Sequence, residues 1–217
     1  MPRPLAVAFD LDGTLVDSRL DIAAACNHVL ASAGRAPLDP QVIASFVGDG
    51  VTHLVARAFG LRIEAPELPE LTERLVAYYS AHPVDHTRWM PGAIQALDAL
   101  AFVPLAIVTN KARAVTLKVL EALGASARFA FVFAGGDGPL KPSPEPVLAV
   151  ARALSVPVGA LWVVGDAEQD VLSARAAGAV AVAVRGGFAD DERLRAASPD
   201  VTLASLLELP ALARATS

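Results

Sequence analysis

Four aspartates fall in two close pairs, Asp10 with Asp12 and Asp166 with Asp170, far apart along the chain. Each pair follows a short apolar run, Leu5–Phe9 before the first and Leu161–Val164 before the second. Two further runs lead to polar groups: Pro104–Val108 ends in Thr109, Asn110 and Lys111, and Lys141 lies in the loop after Phe129–Phe133. Carboxylates gathered in one place repel, and some must take up protons unless a cation neutralises them. Oxygen ligands without a nearby histidine or thiol select a hard cation, and Mg²⁺ keeps few carboxylates together with water and substrate oxygens. Thr109, Asn110 and Lys141 add hydroxyl, amide and ammonium groups suited to a phosphate. Carboxylates, a divalent ion and phosphate donors describe phosphoryl transfer, in which positioning and charge stabilisation do most of the catalysis.

The elements that must bring these groups together are legible in the apolar pattern. Short apolar runs bounded by polar residues fit strands buried on both faces, and Ala179–Val184 adds a fifth such run. Helical spacing occupies the intervals, at Ala93–Leu100, Ala114–Leu123, Glu145–Leu154 and Val171–Ala177. Strand alternating with helix predicts right-handed crossovers and a Rossmann-like parallel α/β sheet with helices on both faces. Ligands of open sheets bind just beyond the carboxyl ends of the strands, which is where the four aspartates, Thr109, Asn110 and Lys141 fall.

One region breaks the alternation. From Asp17 to about Pro83 the pattern is helical, with Asp39-Pro40 as a cap and first-turn pair and with Gly34 and Gly60 at helix ends. Glu67–Ala81 places Leu68, Leu71, Leu75, Val76 and Tyr79 on one helical face. The expectation is an all-helical insert after the first strand: an α/β core at residues 1–16 and 88–217 and a helical cap at 17–87, joined by two short crossings.

Composition removes several classes. The 217 residues carry 18 basic and 23 acidic side chains, a net charge of −5 that argues against general nucleic-acid binding. With 54% apolar and 19% charged residues the chain is too apolar to be disordered. The single cysteine, Cys26, excludes an internal disulfide or a cysteine-cluster metal site and reads as a packed residue, as does Trp162. The mean hydropathy of +0.47 invites a membrane. Yet Ala99–Val108 contains Pro104 and stops at Thr109, short of the roughly 18 apolar residues of a spanning helix. Asp10 and Asp12 interrupt any signal-peptide apolar segment. A cytoplasmic monomer or homodimer acting on a small phosphorylated metabolite is expected, with no nucleic-acid or membrane partner. His82 and His86 are separated by Pro83 and do not form a metal pair, His28 and His53 are isolated, and Asp190-Asp191-Glu192 reads as a helix start.

Four segments in order, FDLDGTLVDS (Phe9–Ser18), VTNK (Val108–Lys111), LKPSPEP (Leu140–Pro146) and VGDAEQD (Val164–Asp170), resemble the motifs of the haloacid dehalogenase-like hydrolase superfamily. The resemblance covers the whole chain and places the helical insert where that superfamily carries a C1-type cap. It implies that Asp10 is a nucleophile forming an aspartyl phosphate and that Asp12 is the general acid and base. It implies that Asp10, Asp12, Asp166 and Asp170 hold Mg²⁺, with Asp170 either ligating the ion or orienting the groups around it. Thr14 fits the phosphatase form of the first motif, and Thr109 with the Asn110 N–H resembles the phosphate-binding pair. Lys141 stands at the superfamily's lysine position in a chain with only three lysines against fifteen arginines. A compact ammonium suits a place between phosphate and carboxylate where a planar guanidinium does not. Ala167 and Gln169 depart from the usual serine and asparagine and leave the neighbouring hydrogen bonds open.

Within the cap, Gly48, Asp49 and Gly50 followed by Arg57 resemble the substrate-specificity loop of phosphoglycolate phosphatases, and Thr87–Gly92 resembles their return segment. Arg57 either meets a substrate carboxylate or is a solvated helix arginine. The resemblance implies hydrolysis of 2-phosphoglycolate or a monoester of similar size. The alternatives are another small substrate such as a sugar phosphate, phosphomutase action, or a non-catalytic interaction module. The resemblance argues against dehalogenase chemistry, because dehalogenating members lack the second aspartate and Asp12 is present here.

Overall fold

The structure is a computed structural model and describes residues 1–216. Its centre is β1 (Ala6–Phe9), flanked by β4 (Leu105–Ala112) on one side and β6 (Leu161–Gly165) on the other. β5 (Phe131–Gly135) lies outside β4, and β7 (Val180–Val184) and β8 (Val201–Leu203) continue beyond β6, giving an all-parallel sheet in the order β5-β4-β1-β6-β7-β8. The chain fills the β4–β5 side of β1 first and then crosses from β5 to β6 on the other side, so the strand order reverses at β1 and a crevice opens at its carboxyl end.

The strands are buried on both faces, and the alternation of side chains sorts them. Val7, Phe9, Ile107, Trp162, Val164 and Val182 belong to one apolar cluster, Ala8, Ala106, Val108, Val163, Ala181 and Ala183 to the other. The second face is rich in alanine, so its helices, α7 (Glu145–Ala153) and α8 (Glu168–Ala177), can pack close to the backbone. On the first face large side chains such as Trp162 and Phe9 fill the space; each fully buried one contributes about 1.5–3 kcal/mol. The remaining core helices are α5 (Ala93–Ala99), α6 (Arg113–Ala122), α9 (Asp191–Ala196) and α10 (Leu209–Ala215). The Asp190 side chain caps α9 by accepting from the N–H groups of Glu192 and Arg193, as its acidic run suggests. β8 is a short edge strand, Val-Thr-Leu, whose alternation is too brief to stand out from the surrounding polar sequence.

The helical insert comprises α1 (Arg19–Ser32), α2 (Pro40–Ala44), α3 (Val51–Phe59) and α4 (Leu68–Ala81). Asp39 caps α2 by accepting from the Gln41 N–H at 2.7 Å, and Gly60 ends α3 in the left-handed conformation. The α1 face Ile22, Cys26, Val29, Leu30 and the α4 face Leu68, Leu71, Leu75, Tyr79 join the first apolar cluster, which therefore runs unbroken from sheet to cap. The crossings are more ordered than a pair of loops. β2 (Val16–Asp17) and β3 (Arg88–Trp89) pair antiparallel, Val16 opposite Trp89 and Asp17 opposite Arg88. A two-residue ribbon leaves no periodic trace in the sequence. No helix among the described residues is long and apolar enough to cross a membrane.

Beside this ribbon Asp21, only 3% exposed, pins the start of α1 to the returning chain. Its carboxylate accepts from the N–H groups of His86 (2.9 Å) and Thr87 (2.8 Å) and from the Thr87 hydroxyl (2.6 Å). Removing it strands buried donors, so Asp21→Ala is expected to lower unfolding free energy by about 2–4 kcal/mol, and Asp21→Asn by roughly half as much. Urea unfolding checks this; a loss below about 0.5 kcal/mol for the alanine variant would show that the ribbon does not depend on Asp21.

Candidate active site

Asp10 is the first residue past β1, and its N–H donates to the Val164 carbonyl of β6 at 2.9 Å. Phe9 lies opposite Val164 in the β1–β6 register, so the residues just past the two strands, Asp10 and Asp166, emerge side by side. Asp170 stands in the first turn of α8, where its carboxylate accepts from the Ala167 N–H at 3.0 Å, satisfying an open helix donor. β4 carries Thr109, Asn110 and Lys111 on its carboxyl end, and Lys141 comes from the loop between β5 and α7. The crossovers therefore unite segments more than a hundred residues apart.

Charge dominates this place. Lys141 Nζ is bonded to Asp10 Oδ1 (2.8 Å), Asp170 Oδ1 (2.5 Å) and the Val108 carbonyl (2.8 Å), and its side chain is 3% exposed. Ligand oxygens of Asp10, Asp166 and Asp170 lie within 4.8 Å of one another. Burial pushes Asp10 up to about 6, with Asp170 and Asp12 adding to the effect and Lys141 opposing it. Asp166 also rises to about 6, through burial and then Asp10, against hydrogen bonds from Thr14 and from the N–H groups of Phe188 and Ala189. Asp170 is raised by burial despite its bond to Lys141. Burial works against the Lys141 ammonium, but Asp10 and Asp170 outweigh it and hold the group charged. Four carboxylates, counting Asp12, meet two ammonium groups, Lys141 and Lys111, and two negative charges remain uncompensated. An all-carboxylate donor set with that excess fits a hard divalent cation.

The sequence-predicted residues are partly gathered. Asp10, Asp12, Thr109, Asn110, Lys141, Asp166, Asp170, Gly48 and Gly50 line one cavity of about 270 Å³ beneath the cap. Several placements differ from expectation. The Asp12 carboxylate, expected among the metal ligands, is turned to Lys111 Nζ (2.8 and 3.0 Å) and the Ser18 hydroxyl (2.5 Å), apart from the oxygens of Asp10, Asp166 and Asp170. Thr14, expected at the substrate, is buried and donates to Asp166 Oδ1 at 2.6 Å, which orients a carboxylate instead. Asp49 and Arg57, expected at the substrate, pair with each other, and Arg57 Nη1 also donates to the Phe46 carbonyl at 3.0 Å. With side chains 40% and 32% exposed, Arg57 and Asp49 face solvent, because a guanidinium at the end of α3 satisfies itself on its own loop. Gly13, at φ +87°, makes the turn that admits Asp166: a methyl group there would lie 2.9 Å from the Asp166 carboxyl carbon.

Some participants carried no role in the sequence reading. Lys111 is buried between Asp12 and the Tyr79 hydroxyl of α4 (2.7 Å), and the scarcity of lysine was the available signal. Gln169 Nε2 donates to Asp49 Oδ1 at 2.8 Å, so the departure from asparagine reaches the cap loop. The Asn110 side-chain amide, expected toward a phosphate, is instead a clamp: Nδ2 donates to the carbonyls of Gly48 (2.7 Å) and Lys141 (2.9 Å), and Oδ1 accepts from the Lys141 N–H (2.8 Å).

An α/β sheet with this charge cluster at its switch point and a helical cap above defines a class, and comparison with known proteins agrees. Residues 7–184 match the family model described as haloacid dehalogenase-like hydrolase, so the chain belongs to that family. A haloacid dehalogenase-like hydrolase of Streptococcus pneumoniae superposes with a TM-score of 0.85 at 25% identity, over 98% of this chain and 99% of that one. Within the family the chain is a phosphatase of the phosphoglycolate phosphatase-like group. It is 41% identical to a phosphoglycolate phosphatase of Chromobacterium violaceum over 94% of both chains, and 37% identical to one of Agrobacterium fabrum over 96% of this chain and 92% of that one.

The raised carboxyls make a stability prediction. The unfolded chain releases these protons near pH 3.8, the folded chain near 6 at Asp10 and Asp166. Between those values the folded state holds more protons, so each rise in pH favours unfolding. Asp49, lowered below 3.8 overall because its bonds to Arg57 and Gln169 outweigh burial, contributes only below this window. In EDTA the melting temperature is expected to fall from about pH 4 to 6.5, a loss on the order of a few kcal/mol, and a millimolar divalent cation should reverse it. A melting temperature that climbs through this interval in EDTA would contradict the charge excess.

Proposed function

We propose that this phosphatase is Mg²⁺-dependent and hydrolyses a small phosphate monoester, with 2-phosphoglycolate the first candidate, through an aspartyl phosphate on Asp10. The observation that carries the reading is the pairing of two unlike carboxylates on one cavity. Asp10 is held at the switch point by Lys141, and Asp12 is held apart from it by Lys111 and Ser18. The names of the curated relatives support the choice of substrate.

In this reading one oxygen of Asp10 attacks phosphorus while the ester P–O bond breaks, and Asp12 delivers a proton to the departing alkoxide. Asp12 then takes a proton from water, which attacks the phosphorus of the acyl phosphate and releases inorganic phosphate with Asp10 restored. Lys141 neutralises Asp10 so that an anion can approach it, and Thr109 with the Asn110 N–H holds phosphate oxygens. Asp10, Asp166 and Asp170 would hold Mg²⁺, which when bound offsets the negative charge of the phosphoryl group and the carboxylates. Thr14 positions Asp166. Residues 17–87 act as a cap over a core of 1–16 and 88–217; closed on Asn110 and Gln169, it keeps bulk water from the first step. The cavity of about 270 Å³ suits a small metabolite.

Asp10→Asn keeps a hydrogen-bond acceptor for Lys141 while removing the nucleophile. Phosphate release from 2-phosphoglycolate with millimolar Mg²⁺ is expected to fall more than ~1000-fold, with the melting curve still cooperative. A variant keeping a tenth of wild-type turnover would take Asp10 out of this role, and full activity of the wild type in EDTA would remove the metal from the reading.

A further inference from the structure

Lys111 is the one cavity ammonium whose partners belong to the reaction and to the cap at once. Its side chain is 5% exposed. Nζ has two partner groups, the Asp12 carboxylate (2.8 and 3.0 Å) and the Tyr79 hydroxyl oxygen (2.7 Å), for its three N–H donors, with the Tyr79 ring centroid 4.2 Å away. Lys141 is held by Asp10, Asp170 and a backbone carbonyl, and the other basic lining residue, Arg193, is 73% exposed at the rim. The cavity wall there is mostly apolar, built from Ile22, Val51, Leu54, Leu75 and Val76 of the cap and Val115 of α6, with Ser45 as a polar exception. A buried ammonium in such a wall favours an anion, and an Asp12 carboxylate bound through one oxygen leaves Nζ a donor to offer it.

We propose that Lys111, with the Tyr79 hydroxyl beside it, reads a carboxylate on the leaving group and makes the enzyme selective for phosphate esters of 2-hydroxy acids. This rests on the phosphatase reading above, in which Asp12 protonates the leaving oxygen. That oxygen must lie against Asp12, and in an ester of a 2-hydroxy acid the carboxylate carbon is two bonds away from it. The Lys111 ammonium, 2.8 Å from Asp12, is thus within hydrogen-bond reach of that carboxylate and of no comparable group in an uncharged alkyl ester. Tyr79 accepts from Lys111, which leaves its own O–H to donate to the second carboxylate oxygen. Burial holds the Tyr79 phenol up at about 12, so that proton is present at neutral pH. Arg57, the residue that the cap motif suggests for this task, is 40% exposed and is not among the residues lining the cavity, whereas Lys111 lines it.

The test compares 2-phosphoglycolate with 2-hydroxyethyl phosphate, which keeps the alkyl leaving group and replaces the carboxylate by a hydroxymethyl group. With millimolar Mg²⁺ the wild type is expected to prefer 2-phosphoglycolate in kcat/KM by tenfold or more, and Lys111→Met to reduce that preference by about 10–100-fold, chiefly through KM. Tyr79→Phe keeps the ring and the Lys111–Asp12 pair, and is expected to reduce it by about three- to tenfold. If Lys111→Met slows both substrates by one common factor, Lys111 only positions Asp12 and the proposal fails. An unchanged preference in Tyr79→Phe overturns the part given to Tyr79 and decides the matter should the lysine variant not fold. A wild type that hydrolyses both esters equally overturns carboxylate recognition while leaving the phosphatase reading in place. A wild type that releases phosphate from neither overturns that reading itself.

Discussion

Buried negative charge without enough positive charge to match it is the constraint around which this molecule is arranged. Asp10, Asp166 and Asp170 bring their oxygens within 4.8 Å of one another at the middle of the sheet, where water cannot spread their charge. An isolated carboxylate in such a place would simply take a proton. Lys141 opposes this at two of the three, and Thr14 with the Phe188 N–H does so at the third. The remaining deficit is of the kind that a hard divalent cation fits. The same crowding explains why Gly13 must be a glycine, since any side chain there would meet the Asp166 carboxylate.

The cap is held by a second kind of force, and the two divide the work. Its apolar faces continue the cluster of the sheet, which is non-directional and tolerates sliding. Its polar contacts are few and specific: the Gly48 carbonyl on Asn110, Asp49 on Gln169, Tyr79 on Lys111 and Ser18 on Asp12. All four reach residues in or beside the cluster of carboxylates and ammonium groups, so the position of the cap and the geometry of the site are one variable. A short antiparallel ribbon, pinned by Asp21, returns the chain to the core beside the point where it left.

Much of this was legible in the chain. Strands buried on both faces write themselves as unbroken apolar runs, and the helices between them as a second period; β1, β6 and β7 lie within a residue of the expected runs. β5 starts two residues later than its run, because Phe129 is buried without pairing, and β4 extends to Ala112 through polar residues no hydrophobic pattern would include. Asp10, Lys141, Asp166 and Asp170 could be picked out because the chemistry restricts residue type at a strand end. Thr14, Asp49 and Arg57 were assigned to the substrate because motif membership names a position but not the direction of a side chain.

What the amino-acid order determined by itself was the parallel α/β core, the helical insert and the set of acids and ammonium groups at the strand ends. These depend on burial pattern and residue type, which are local properties. Only the tertiary structure decided which carboxylate meets which lysine. The Lys111–Asp12–Tyr79 contact joins residues 99 and 32 positions apart in sequence, and Thr14 meets Asp166 across 152. Such pairings are set by how sheet register and cap packing aim side chains into one small volume, a property of the assembled molecule that no segment of it possesses.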